Sequence, residues 1–139
     1  MQSSSLSIRL YNILREKRVF LLYIPLLVYW IILFILTSIP VDQVPKFFGT
    51  QDKIEHFAAY FLLSILLCLT LHFQRKNLQL SSRALLITFL IVIFYGVIDE
   101  LHQLFVPGRS GDILDWLADS IGGGLGIWFC YKFINSSKT

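Results

Sequence analysis

Three short stretches of an otherwise apolar chain carry most of its acids. The first holds Asp52, Lys53, His56 and Tyr60. The second holds Tyr95, Asp99, Glu100, His102 and Gln103. The third holds Asp112, Asp115 and Asp119. Steps of i+3, i+4, i+7 and i+8 put Asp52, His56 and Tyr60 on one helix face, Tyr95, Asp99, His102 and Gln103 on another with Glu100 beside it, and Asp112, Asp115 and Asp119 on a third. Carboxylates crowded together cannot all ionise, so one can donate a proton while another accepts one. His56 could shuttle protons between them. Lys53 and Arg109 are the natural counter-charges, and Arg109 can fork onto a carboxylate or a phosphate. Asp99, Glu100, Asp115 and His56 would suit Mg²⁺, Mn²⁺ or Zn²⁺ as a low-priority metal set. There is no HExxH spacing and no activated serine or cysteine nucleophile.

Plainer roles compete at several positions. Asp52 and Asp112 stand where helix caps belong. That explanation fails for Asp99 and Glu100, which oppose a helix dipole at its negative end, and for Asp119, two turns inside its helix. Ala118, Gly122 and Gly126 repeat every fourth residue, a small-residue seam for close helix approach, with Gly96 as its expected match. Cys68 and Cys130 read as packing residues, and His72 and Trp30 as packing or interfacial side chains.

The elements that position these residues follow from composition. The chain has 139 residues, 55% hydrophobic and only 15% charged, with mean hydropathy +0.66. Soluble domains carry about 25% charge. Disorder is excluded, and an ordinary water-soluble globule does not fit. Four apolar runs, 19–39, 54–73, 84–105 and 113–134, approach the length of about 20 residues that a spanning helix needs. They predict an all-α integral membrane four-helix bundle over 19–134. The first run exceeds a secretory h-region and no cleavage site follows, so it reads as a retained signal-anchor helix, kinked at Pro25. Two Cys make no disulfide framework.

Lys and Arg set the orientation. Arg9, Arg15, Lys17 and Arg18 precede the first run, Arg75, Lys76 and Arg83 lie between the second and third, and Lys132 and Lys138 sit at the end. Both termini are therefore expected in the cytoplasm: a basic segment 1–18, loose over 1–5, and a tail 135–139. Eight of the nine acids then fall on the outer side: Asp42, Asp52, Glu55, Asp99, Glu100, Asp112, Asp115 and Asp119. Acids at membrane depth should face protein or water rather than lipid. The stretch 106–112 (VPGRSGD) makes a tight turn between antiparallel neighbours. Phe47 and Phe48, beside Lys46, are expected along the headgroups.

Two segments carry a family resemblance. Residues 52–60 read DKIEHFAAY, and 99–126 read DELHQLFVPGRSGDILDWLADSIGGGLG. Together they resemble the VanZ-like family of small bacterial membrane proteins, whose pattern is DKxxHFxxY, then DExxQxFxPxR, then an acid-rich segment running into glycines. Asp52, Lys53, His56, Phe57 and Tyr60 fill the first motif. Asp99, Glu100, Gln103, Phe105, Pro107 and Arg109 fill the second. Asp112, Asp115, Gly122 and Gly126 fill the third. Asp119 departs from it, standing where the family often has Asn. The resemblance implies a multi-pass protein of the cell membrane with a role in resistance to the glycopeptide antibiotic teicoplanin. The expected binding site is Asp52, Lys53, His56, Tyr60, Asp99, Glu100, Gln103, Arg109, Asp112, Asp115 and Asp119. Its expected partners are the bilayer and a lipid-linked cell-wall precursor or lipoglycopeptide, with an oligomer open, no nucleic acid and no required cofactor. Two other readings stay open: an acid/base or metal-dependent enzyme on a lipid-linked intermediate, using Asp99, Glu100, Asp115 and His56, and a small proton-coupled carrier.

Overall fold

A computed structural model of the chain describes residues 2–45 and 47–137. The expectations on Met1, Lys46 and Lys138 lie outside the described residues. Every regular element among the described residues is helical: α1 (Gln2–Glu16), α2 (Ile24–Thr37), α3 (Gln51–Phe73), α4 (Leu78–Ser82), α5 (Ala84–Gln103) and α6 (Ile113–Ser136). The backbone of residues 2–5, expected to be loose, forms the first turn of α1. The short α4 is set by Asn77, whose side chain accepts from the backbone N–H groups of Gln79 and Leu80.

Pro25 acts on the first apolar run as its chemistry requires. Proline lacks an N–H, and its ring collides with the carbonyl four residues back. A π-helical turn, Val19–Tyr23, absorbs this, with the Ile24 N–H bonded to the Val19 carbonyl; the α-helical ladder then restarts with Pro25 in its first turn.

Among the described residues, three helical stretches are long and apolar enough to cross a membrane: Val19–Thr37, Gln51–Phe73 and Ala84–Gln103. The fourth expected span, 113–134, lies within α6 and is helical throughout. Asp115, Asp119 and the glycines at 122, 123, 124 and 126 dilute its apolar character. The surface is inverted relative to a soluble domain. His56, Ser64, Thr88, Asp99, Gln103, Asp115 and Asp119 are buried, whereas Phe20, Leu27, Phe94 and Phe105 are exposed. A hydrocarbon surround suits that inversion; water does not.

Helix α6 packs most extensively on α3, running parallel to it, and also on α5. Glycine makes the close approach. A Cβ at Gly122 would collide with the Phe57 carbonyl oxygen. One at Gly126 would collide with Ser64 Oγ and sit 2.5 Å from the Phe61 carbonyl oxygen. Gly122 and Gly126 of the seam thus face α3. The seam's expected match, Gly96, lies instead under Trp116 and Asp119, whose Cδ1 and Oδ2 would stand 3.1 and 3.2 Å from a Cβ there. Trp116 also donates to the Ile93 carbonyl (3.2 Å), which joins α5 to α6. At the opposite end Tyr11 closes α1 onto α3, its hydroxyl 3.1 Å from His72 Nε2 and its ring edge-on to Phe73. Free Cys68 and Cys130 are buried there among Leu22, Phe73 and Ala84, as packing residues.

The turn between α5 and α6 hangs on Gly108, at φ +74°. A Cβ there would stand 2.5 Å from Val41 Cγ1, while the Val41 N–H donates to the Pro107 carbonyl (3.3 Å). Gly108→Ala is expected to cost about 2 kcal/mol, from the left-handed backbone and the crowded valine together. Thermal unfolding in detergent measures it. Gly49→Ala, with open space at its Cβ, is the control expected to be unchanged.

Candidate functional site

Three helix ends meet at one level: the start of α3, the end of α5 and the start of α6. Helical spacing turns the polar face of each toward the others, because lipid offers none of those side chains a partner. Lys53 Nζ donates to Asp112 Oδ2 (2.8 Å) and Asp115 Oδ1 (2.9 Å), joining α3 to α6. Asp112 is also the cap expected of it, its Oδ1 accepting from the Leu114 N–H at 2.8 Å. The Lys53 ammonium beside it holds its carboxyl below the usual range. Asp52 is not the cap: α3 starts at Gln51 and Thr50 precedes it. Glu100 closes the third side, its Oε2 accepting from the Asp112 backbone N–H at 2.7 Å.

His56 lies at the centre, buried. Its Nδ1 donates to Asp119 Oδ1 at 2.9 Å, with Glu100 Oε1 at 3.9 Å. Gln103 Nε2 stands 3.5 Å from the other ring nitrogen. Arg109 Nη1 donates to Gln103 Oε1 (3.3 Å), which turns the amide so that its NH₂ faces the ring. Asp99 is buried beside this group. One donor atom each from His56, Asp99 and Asp119 lies within 4.8 Å of the others, and the same holds for Asp52, His56 and Asp115. Either set offers the oxygen and nitrogen donors a divalent cation takes. Glu100 belongs to neither, and Asp52 and Asp119 enter where the sequence pointed to Glu100.

Arg109 takes a different place from the one expected. Among the described residues it pairs with no acid. Its Nε donates to the Ile39 carbonyl (2.9 Å) and Nη2 to the Leu36 carbonyl (3.3 Å). The last carbonyls of a helix have no i+4 donor; that of Leu36 accepts from the Ile39 N–H (3.3 Å), and the guanidinium adds a second donor. Arg109 therefore clamps the end of α2 to the α5–α6 turn.

Between α2 and α3 lies a cavity of about 630 Å³. Its walls are apolar: Leu33 and Leu36 from α2, Ala58, Ala59 and Leu62 from α3. Its polar end holds Asp52, Glu55, His56, Tyr60, Asp99 and Arg109. Of the expected site, Asp52, His56, Tyr60, Asp99 and Arg109 line this space. Lys53, Glu100, Gln103, Asp112, Asp115 and Asp119 do not line it. Tyr29, Thr37 and Gln43 also line it and were missed. The available signal was Tyr29 and Thr37, polar-tipped residues eight apart in an apolar run.

Removing Lys53 would strand Asp115, whose side chain is only 4% exposed. Lys53→Met is expected to cost about 2 kcal/mol in unfolding free energy, and Lys53→Met with Asp115→Asn to regain most of it. A double-mutant cycle by denaturant unfolding checks this. The lowered Asp112 value gives the sign of the pH effect: its contact with Lys53 is intact above the ordinary carboxylate range and lost as pH falls through the lowered value.

No curated protein and no solved structure matches the chain. The family model described as VanZ/LLP1 matches residues 6–135, nearly its whole length, and the chain belongs to the VanZ-like family.

Proposed function

We propose that this VanZ-family protein binds a lipid-tailed or lipid-linked ligand of the cell envelope in the cavity between α2 and α3, and that this binding underlies a role in resistance to teicoplanin-type glycopeptides. In this reading α6 spans the membrane with the other three long helices, both termini are cytoplasmic, and the acid-rich ends open toward the extracytoplasmic face. The basic residues flanking the opposite ends support that orientation. One observation carries the binding role: a single space with hydrocarbon walls and a polar end, which matches a molecule with a tail and a head.

Ala59→Trp would fill the cavity from its α3 wall. It is expected to abolish both binding of a fluorescent lipoglycopeptide to protein in nanodiscs and any teicoplanin resistance the protein confers on expression. Phe94→Trp, on the exposed surface of α5, should leave both intact. Undiminished binding by a folded Ala59→Trp protein would remove the cavity from the mechanism. A second reading, metal-dependent acid/base catalysis, is favoured by the close donor set of His56, Asp99 and Asp119. Turnover of a lipid-linked precursor that requires Mg²⁺, Mn²⁺ or Zn²⁺ and disappears in Asp99→Asn would support it.

A further inference from the structure

We propose that the polar end of the cavity selects a cationic head, an ammonium group carried on a hydrocarbon chain. This rests on the reading of the cavity as a site for a tailed ligand and adds the chemistry of the head. Three carboxylates line that end: Asp52, Glu55 and Asp99. The basic side chains beside them are already engaged, His56 by Asp119. Lys53 is held by Asp112 and Asp115. All three nitrogens of Arg109 donate to Leu36, Ile39 and Gln103. An anionic head would enter beside three acids, with no free cation at that end of the cavity among the described residues to meet it. An ammonium would find carboxylate acceptors, and N–H to carboxylate bonds are the strong, charge-assisted kind.

Tyr60 is a second, independent pointer. It lines the same space, it is 2% exposed, and its hydroxyl has no hydrogen-bond partner among the described residues. A buried hydroxyl without a partner is costly. An ammonium donating to its oxygen would give that oxygen a partner, while Leu33, Leu36 and Leu62 take the chain.

The test is a titration of the full chain in phosphatidylcholine nanodiscs with three probes of equal tail: dodecylammonium, dodecyl phosphate and dodecyl maltoside. Empty nanodiscs and the Ala59→Trp protein set the background. Dodecylammonium is expected to bind saturably and about tenfold or more tighter than dodecyl phosphate. Asp52→Asn and Asp99→Asn should bring that ratio toward one, and Tyr60→Phe should lower ammonium affinity without strengthening phosphate binding. Thermal unfolding of each variant identifies any that has lost its fold. Asp52, half-buried at the start of α3, carries the test if Asp99→Asn does not fold. Equal affinity for all three probes, or preference for phosphate, would overturn the cationic head while leaving a tail-binding cavity. No saturable binding above the Ala59→Trp background would overturn both.

Discussion

Gly126→Leu is expected to prevent stable assembly of the protein, at a cost of about 3 kcal/mol or more. The side chain would enter where the two helices touch. Even a Cβ at this position collides with Ser64 Oγ and stands 2.5 Å from the Phe61 carbonyl oxygen. A hydroxyl can rotate away, but a helix carbonyl cannot without breaking its ladder. The α3–α6 pair must therefore separate, and that pair is the most extensive contact in the fold. Its separation would also pull Lys53 from Asp115 and His56 from Asp119. Gly124→Leu is the matched control: same helix, same change, nothing within 4 Å of the new Cβ. Size-exclusion profiles and thermal unfolding in one detergent distinguish them. Gly124→Leu should resemble wild type, and Gly126→Leu should aggregate or melt far earlier.

The second large effect concerns His56 and Asp119. His56→Leu leaves the Asp119 carboxylate 1% exposed, with its Oδ1 partner gone and Oδ2 already unpartnered. Breaking a buried pair from one side costs about 3–5 kcal/mol, whereas replacing both partners with apolar groups is often near neutral. His56→Leu should be strongly destabilised, and His56→Leu with Asp119→Leu should recover most of the loss. Ligand binding should not recover with it, since His56 lines the cavity. Denaturant unfolding of both single variants and the double variant gives the coupling. A loss from His56→Leu that persists in the double variant would mean that the imidazole is held by contacts other than Asp119.

The convergence of Asp52, His56, Asp99, Asp115 and Asp119 was readable because polar residues at i, i+4 and i+7 in an apolar helix must turn toward one another. The helical identity of the four long runs followed for the same reason. Partner choice did not follow. Nothing in the spacing of Gly122 and Gly126 says whether α3 or α5 fills the seam; the bulk of Trp116 over Gly96 and the exposed backbone of Phe57 and Phe61 decide it. By sequence Arg109 reads as a counter-charge, because it is a cation in a short turn next to acid-rich helix ends. The carbonyls of Leu36, in the last turn of α2, and of Ile39, just past it, compete for the same guanidinium, and backbone acceptors belong to every sequence alike. The cavity was hidden because its walls are ordinary apolar residues, identical in type to those that fill cores.

Zero-length carbodiimide coupling probes the meeting of the helix ends most directly. Lys53 and Asp112 lie 2.8 Å apart, with side chains 35% and 39% exposed, so the reagent can reach both. Treatment of the full chain in membranes, followed by digestion and mass spectrometry, should yield an amide linking Lys53 to Asp112 or Asp115. Lys53→Arg should abolish it. Recovery of Lys53 unlinked, or linked only within α3, would show that the ends of α3 and α6 stand apart.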